Sequence, residues 1–181
     1  MSAAVPLPDR TLDAPSTRPW LTVRTRNAFL AALIVTFVLG LYLRFFLVIP
    51  ADFPLNDGGL FYLMTQELQR AHYVLPAFTS YNSEHIPFAY PPLGFYLAGF
   101  ISDATGWALI DVVRVLPAVI STLTIPAFYL LSRAMLRSRL EVLAATFAFA
   151  MLQRTFGWFI MGGGLTRAPG LLFAILMLHQ A

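Results

Sequence analysis

The run AFLAALIVTFVLGLYLRFFLVI, Ala28 to Ile49, carries a single charge, Arg44, across 22 residues. As a helix it is about 33 Å long, enough to cross a hydrocarbon core of about 30 Å. The rest of the chain agrees with it. Hydrophobic residues make up 58% of the 181 and charged residues 12%, with a mean hydropathy of +0.70. A soluble domain holds about 45–50% apolar and about 25% charged residues. The expected fold is therefore an all-α integral membrane protein.

Upstream, residues 1–26 are polar and Pro-rich and read as a disordered tail. Arg18, Arg24 and Arg26 precede the apolar run, so the positive-inside rule makes this tail cytoplasmic. The alternative, a cleaved signal peptide, fits less well. The tail is long, the run exceeds an h-region, and no small-x-small cleavage site follows. Arg44, near the far end of the run, either snorkels to the outer interface or turns inward to hold an anion.

Downstream, Pro50 ends the first span, and residues 27–181 read as one polytopic membrane domain. Residues 50–111 form an outer loop with two interfacial helices, 58–72 and 92–103. In the first, Leu60, Met64, Leu68 and Ala71 share one face and Thr65, Gln66, Gln69 and Arg70 another. That pattern predicts a helix lying on the membrane with its apolar face down. Leu93 to Ile101 is too short to span. A second crossing is expected at 112–134, kinked by Pro117 and Pro126. Arg133, Arg137 and Arg139 follow it and belong inside, which leaves one crossing between them and the first span. A third span, 141–161, carries Arg154 in its outer half. A fourth begins at 169–181, but Leu171 to Leu178 offers only eight apolar residues, about 12 Å of helix. About three complete spans and a truncated fourth suggest an N-terminal fragment, inactive alone, with the remainder of the polypeptide as its partner.

The chain has no Cys, which excludes disulfides, thiolate nucleophiles and Cys-ligated metals. His72, His85 and His179 lack metal-ligand spacing. All twelve basic residues are Arg, without an aromatic-interleaved stripe, so no nucleic-acid partner is expected.

This topology gathers chemistry on the outer side: Asp52, Asp57, Glu67, Arg70, His72, Glu84, His85, Asp103, Asp111, Arg114 and Arg167, with Arg44 and Arg154 close by. In NDGGLFYLMTQELQRAH, Asn56 to His72, Asp57 is either an N-cap for the following helix or a base or metal ligand at a membrane-surface cleft. Gly58 and Gly59 are poor helix formers that let a ligand approach the backbone. MGGGLTRAPG is either a flexible turn or an anion site in which backbone N–H groups and Arg167 hold a phosphate. YPPLGFYL is a helix start or a rigid elbow; Tyr90 and Tyr96 also suit an interface belt. Glu84 and His85 are solvated loop residues or an acid–base pair, and Glu67 and Arg70 read as a helix-surface pair.

Taken in order, the inward N-terminus, the outer-loop acid followed by an amphipathic helix, YPPLGFYL and VVRVLPAVISTLTIPAFYLLSR resemble the N-terminal part of the GT-C polytopic glycosyltransferases. The branch is family 39-like, which holds protein O-mannosyltransferases and aminoarabinose transferases. The resemblance covers about Ala28 to Leu178. It implies a multi-pass plasma-membrane enzyme that moves a sugar from a polyprenyl-phosphate donor to an acceptor hydroxyl at the outer face. Asp57 would be the base, with inversion at the anomeric carbon. Arg154, Arg167 and Arg44 would serve the donor phosphate, and Tyr62, Tyr81, His85 and Tyr90 are the candidates for a substrate groove. Where that family often has a second acid, this chain has Gly58, so a divalent cation is allowed but not required. The alternative function is a membrane component that binds or transports an anionic lipid or sugar without catalysis.

Overall fold

The computed structural model describes residues 23–181, with side chains from Arg26 onward. The expected tail, 1–26, lies outside the described residues except for its last four, which open the first helix. The described residues are mostly helical. Helix α1 is Val23–Phe45, α2 Gly58–Arg70, α3 Leu93–Thr105, α4 Leu109–Met135, α5 Arg139–Met151 and α6 Gly164–Gln180. One small antiparallel pair, β1 (Phe78–Thr79) and β2 (Ile86–Pro87), interrupts the loop after α2.

Among the described residues, two helices are long and apolar enough to cross a membrane: Arg26–Phe45 within α1, and α4. The continuous third span expected over 141–161 is not one helix. Helix α5 stops at Met151, about 20 Å from its start. The chain then makes two short 3-10 turns, Gln153–Thr155 and Gly157–Phe159. Gln153 and Arg154 interrupt the apolar run there, and Gly157 weakens helix further. Helix α5 starts cleanly because Ser138 and Glu141 form a capping box.

The bundle is organised around α4, which runs through Pro117 and Pro126 without a break. Helix α6 lies parallel to it. Leu165 packs with Val112 and Val113 at one end, and Ile175 with Ala127 and Leu131 at the other. Gly94 of α3 permits the closest contact in this layer: a Cβ there would sit 2.0 Å from the Leu165 carbonyl oxygen.

Helix α2 does not turn its apolar face toward a membrane. Phe61, Met64 and Leu68 are fully buried against Phe95 and Ala98 of α3 and Val112 and Val113 of α4. Phe61 stacks on Phe95 at 5.7 Å and meets the edge of Tyr90 at 4.9 Å. Met64 and Leu68 of the expected stripe are in this face, but Phe61 and the fully buried Thr65 complete it in place of Leu60 and Ala71, which are only half-buried, and its partner is protein. Polar clasps hold the same helices. Gln69 Nε2 and the Tyr73 hydroxyl donate to the two oxygens of Asp103, at 2.7 and 2.5 Å. Burial, reinforced by the bond to Asp103, pushes the Tyr73 hydroxyl up to about 12. Glu67 does not pair with Arg70: its Oε1 accepts from the Ser80 backbone N–H at 2.9 Å and hydroxyl at 2.6 Å. Partial burial works to raise that carboxyl, but Ser80, with Thr79 and the charge of Arg70, outweighs it and holds the group below its usual range.

Arg44 is fully buried. Its Nη1 donates to the carbonyls of Gly40 and Ala150 at 3.0 Å, and its Nε to Ser121, carbonyl and hydroxyl, at 3.2 Å. The guanidinium lies 4.6 Å from the Phe156 ring centroid. Neither reading of the sequence describes this. Arg44 neither snorkels nor opens onto the outer face; it ties α1, α4 and α5 together.

Candidate functional site

Two glycine-bearing segments, 106 residues apart, meet backbone to backbone at one end of the bundle. The Gly162 N–H donates to the Leu55 carbonyl at 2.9 Å. A Cβ on Gly162 would lie 2.3 Å from the Gly58 Cα and 2.4 Å from its nitrogen. On its other side Gly58 abuts Pro54, whose Cβ would be 2.3 Å from a Cβ on Gly58. MGGGLTRAPG is therefore not a flexible turn. Its first two glycines dock against NDGG, and Gly164 clears the Phe159 carbonyl, which a Cβ would meet at 2.2 Å.

This docking fixes Asp57. Its Oδ1 accepts a 2.9 Å hydrogen bond from the Gly163 N–H, just ahead of α6. Its side chain accepts nothing from α2, so it is not the cap of its own helix. It caps α6 from across the fold, where the helix dipole favours a negative charge. Oδ2 has no hydrogen-bond partner among the described residues, and it is not a buried unpartnered atom.

Arg167, one turn into α6, completes the arrangement. A Cβ on Gly163 would stand 2.7 Å from Asp57 Oδ2 and 3.1 Å from Arg167 Nη1. The carboxylate and the guanidinium thus flank a floor with no side chain. The two do not close into an ion pair, and Arg167 is exposed, 5.8 Å from the Trp158 ring centroid. The backbone N–H groups of this loop are already used. Those of Gly164, Leu165 and Thr166 donate to Met161, Gly162 and Gly163, so a phosphate here would meet Arg167 and not an open backbone cradle.

The other acids at this end separate from Asp57 by their partners. Glu67 is held by Ser80, Asp103 by Tyr73 and Gln69, and Asp111 by Arg114 at 2.7 Å. Arg114 also donates to the Ala51 carbonyl. Asp52 and Glu84 are exposed. Glu67 also keeps one oxygen, Oε2, without a partner, but that atom is buried; Asp57 is a half-buried carboxylate whose second oxygen is both unpartnered among the described residues and accessible.

The remaining residues expected at a site do not all gather here. Tyr81 does: it lies over Gly59, where a Cβ would be 3.5 Å from its hydroxyl. Tyr90 packs in the α2–α3 core. Tyr62 takes a long 3.4 Å bond from Gln66 on its own helix. His85 lies 5.8 Å from Phe78 at the β-pair, and no bond joins it to Glu84. Arg154 is exposed in the 3-10 turn after α5 and makes no hydrogen bond or ion pair among the described residues. Among the described residues, no three His, Asp or Glu side chains converge as a metal-ligand cluster. Sequence reasoning missed Gly162 and Gly163 as the residues that set Asp57; a Gly triplet before a helix carrying Arg was the available signal.

No protein-family model matches the chain, and neither the curated proteins nor the solved structures contain a significant match.

Proposed function

We propose that this chain is the site-bearing part of an integral membrane glycosyltransferase of GT-C type. It would take a sugar from a polyprenyl-phosphate donor to an acceptor hydroxyl at the outer membrane face. One observation carries the reading: Asp57 is held at Oδ1 by Gly163, while among the described residues Oδ2 has no partner and the neighbouring Arg167 no ion pair. In this reading Oδ2 takes the proton of the acceptor hydroxyl as that oxygen bonds to the anomeric carbon. The bond from that carbon to the phosphate oxygen breaks, and its electron pair leaves with the polyprenyl phosphate. Arg167 stabilises the negative charge that develops there.

The membrane setting rests on α1. Only 17% of its apolar window is buried, and Ile34, Val35 and Val38 are more than half exposed. Lipid or further helices would cover a face of that kind, which is costly in water. The basic ends of α1, α4 and α5 converge at the end opposite Asp57, consistent with an inner face there and the site outside.

The test is a transfer assay on the intact protein with a polyprenyl-phosphate sugar and, in parallel, a nucleotide sugar. Transfer is expected from the lipid-linked donor alone. Arg167→Gln should lower kcat by about 10²-fold, as loss of one charge-stabilising donor does. Donor binding without turnover would instead support a binding or transport component.

A further inference from the structure

At the opposite end of the bundle from Asp57, three helix ends bring three arginines around one cavity. Arg26 comes from the first turns of α1, Arg133 from the last turn of α4, and Arg139 from the start of α5. Together with Tyr129 and Phe29 they line a space of about 230 Å³. That is roughly eight times the ~30 Å³ share of a water molecule, room for a phosphodiester with its glycerol carbons. Among the described residues, none of the three arginines pairs with an acid or makes a hydrogen bond. The nearest acid in sequence, Glu141, is turned to its own helix start, where Oε2 accepts the Ser138 N–H at 3.3 Å. The Arg139 guanidinium lies over the Phe29 ring, 5.8 Å from its centroid. Helix α5 also points its positive dipole end here.

Positive charge alone would satisfy membrane topology, and scattered arginines would serve as well. Here they surround a concave space carrying a Tyr hydroxyl, with no paired acid among the described residues. We infer that this cavity binds the phosphodiester head group of an anionic phospholipid of the inner leaflet. Guanidinium forks match phosphate oxygens two at a time. The lipid's chains would run along the exposed apolar face of α1, which rises from the cavity through Leu30 and Ile34. The inference rests on the membrane reading and not on sugar transfer.

The experiment uses the purified full chain. Flotation with phosphatidylcholine vesicles first tests the membrane reading; a chain that does not float overturns that reading and this one with it. The chain in detergent is then titrated with phosphatidylglycerol, phosphatidylcholine or inorganic phosphate and read by native mass spectrometry. Phosphatidylglycerol should bind about 10²-fold tighter than phosphatidylcholine, at roughly 1 kcal/mol for each of the three arginines. R133Q with R139Q should cut the preference to severalfold. R26Q, at a helix end where folding is not at stake, should weaken it severalfold. R137Q removes the same charge from the same end but not from the cavity, and should leave binding unchanged. Equal binding of the two lipids, or an R137Q loss equal to that of R26Q, overturns the head-group site. Inorganic phosphate binding as tightly as the lipid overturns the lipid assignment.

Discussion

Asp57→Asn is expected to lower sugar transfer by about 10²–10⁴-fold, the range for loss of a positioned general base, while the donor still binds. The amide oxygen of Asn still accepts the Gly163 N–H, so the α2–α6 junction survives. What is lost is the ability of the second oxygen to take a proton. The measurement is the initial rate of transfer in the intact protein beside its donor affinity. A rate within twofold of wild type would remove Asp57 from the chemistry and leave it as a cap for α6. A parallel loss of rate and donor binding would mean that it holds the donor instead.

The largest effect on stability is expected at Gly162. A methyl group there meets the Gly58 Cα at 2.3 Å and its nitrogen at 2.4 Å. Both are backbone, and Pro54 closes the far side of Gly58, so no side chain can rotate away. Gly162→Ala must push the two loops apart and break the bond from its N–H to Leu55. Overpacking costs about 1–3 kcal/mol or more, and at this rigid contact the upper figure applies. For a chain of this size about 3 kcal/mol is roughly 6–12 °C in Tm. Gly163→Ala provides the contrast. Its methyl meets Asp57 Oδ2 and Arg167 Nη1, the ends of side chains that can swing. That variant should keep most of its Tm and lose activity, because the carboxylate and guanidinium are displaced. Thermal unfolding in detergent separates the two, and equal Tm values for both variants would refute the contact.

The local elements were legible because their signals are local. The expected interfacial helix 58–72 is α2, the run 92–103 is α3 and the helix expected to cross at 112–134 is α4, each within a few residues of its observed ends. What a face packs against was not legible. A face of Leu60, Met64, Leu68 and Ala71 would serve equally against lipid or against α3, and the packing with α3 and α4 turns the buried face toward Phe61 and Thr65 instead. The same holds for Asp57. An acid before a helix reads as that helix's cap, but its partner is Gly163, 106 positions on. Arg44 read as a cation in search of water or an anion, whereas the carbonyls of Gly40, Ser121 and Ala150 answer it inside the bundle. The run 141–161 failed as one span because average hydropathy does not register the break at Gln153, Arg154 and Gly157.

The central claim is that a fixed carboxylate with one free oxygen drives a single displacement at a lipid-linked sugar. The anomeric configuration of the product, read by NMR after transfer from a polyprenyl-phosphate donor, tests it most directly. Inversion relative to the donor is the result expected of Asp57 acting as a base. Retention, which needs a covalent sugar–enzyme intermediate or a second displacement, or the absence of any product from the intact protein, would contradict it.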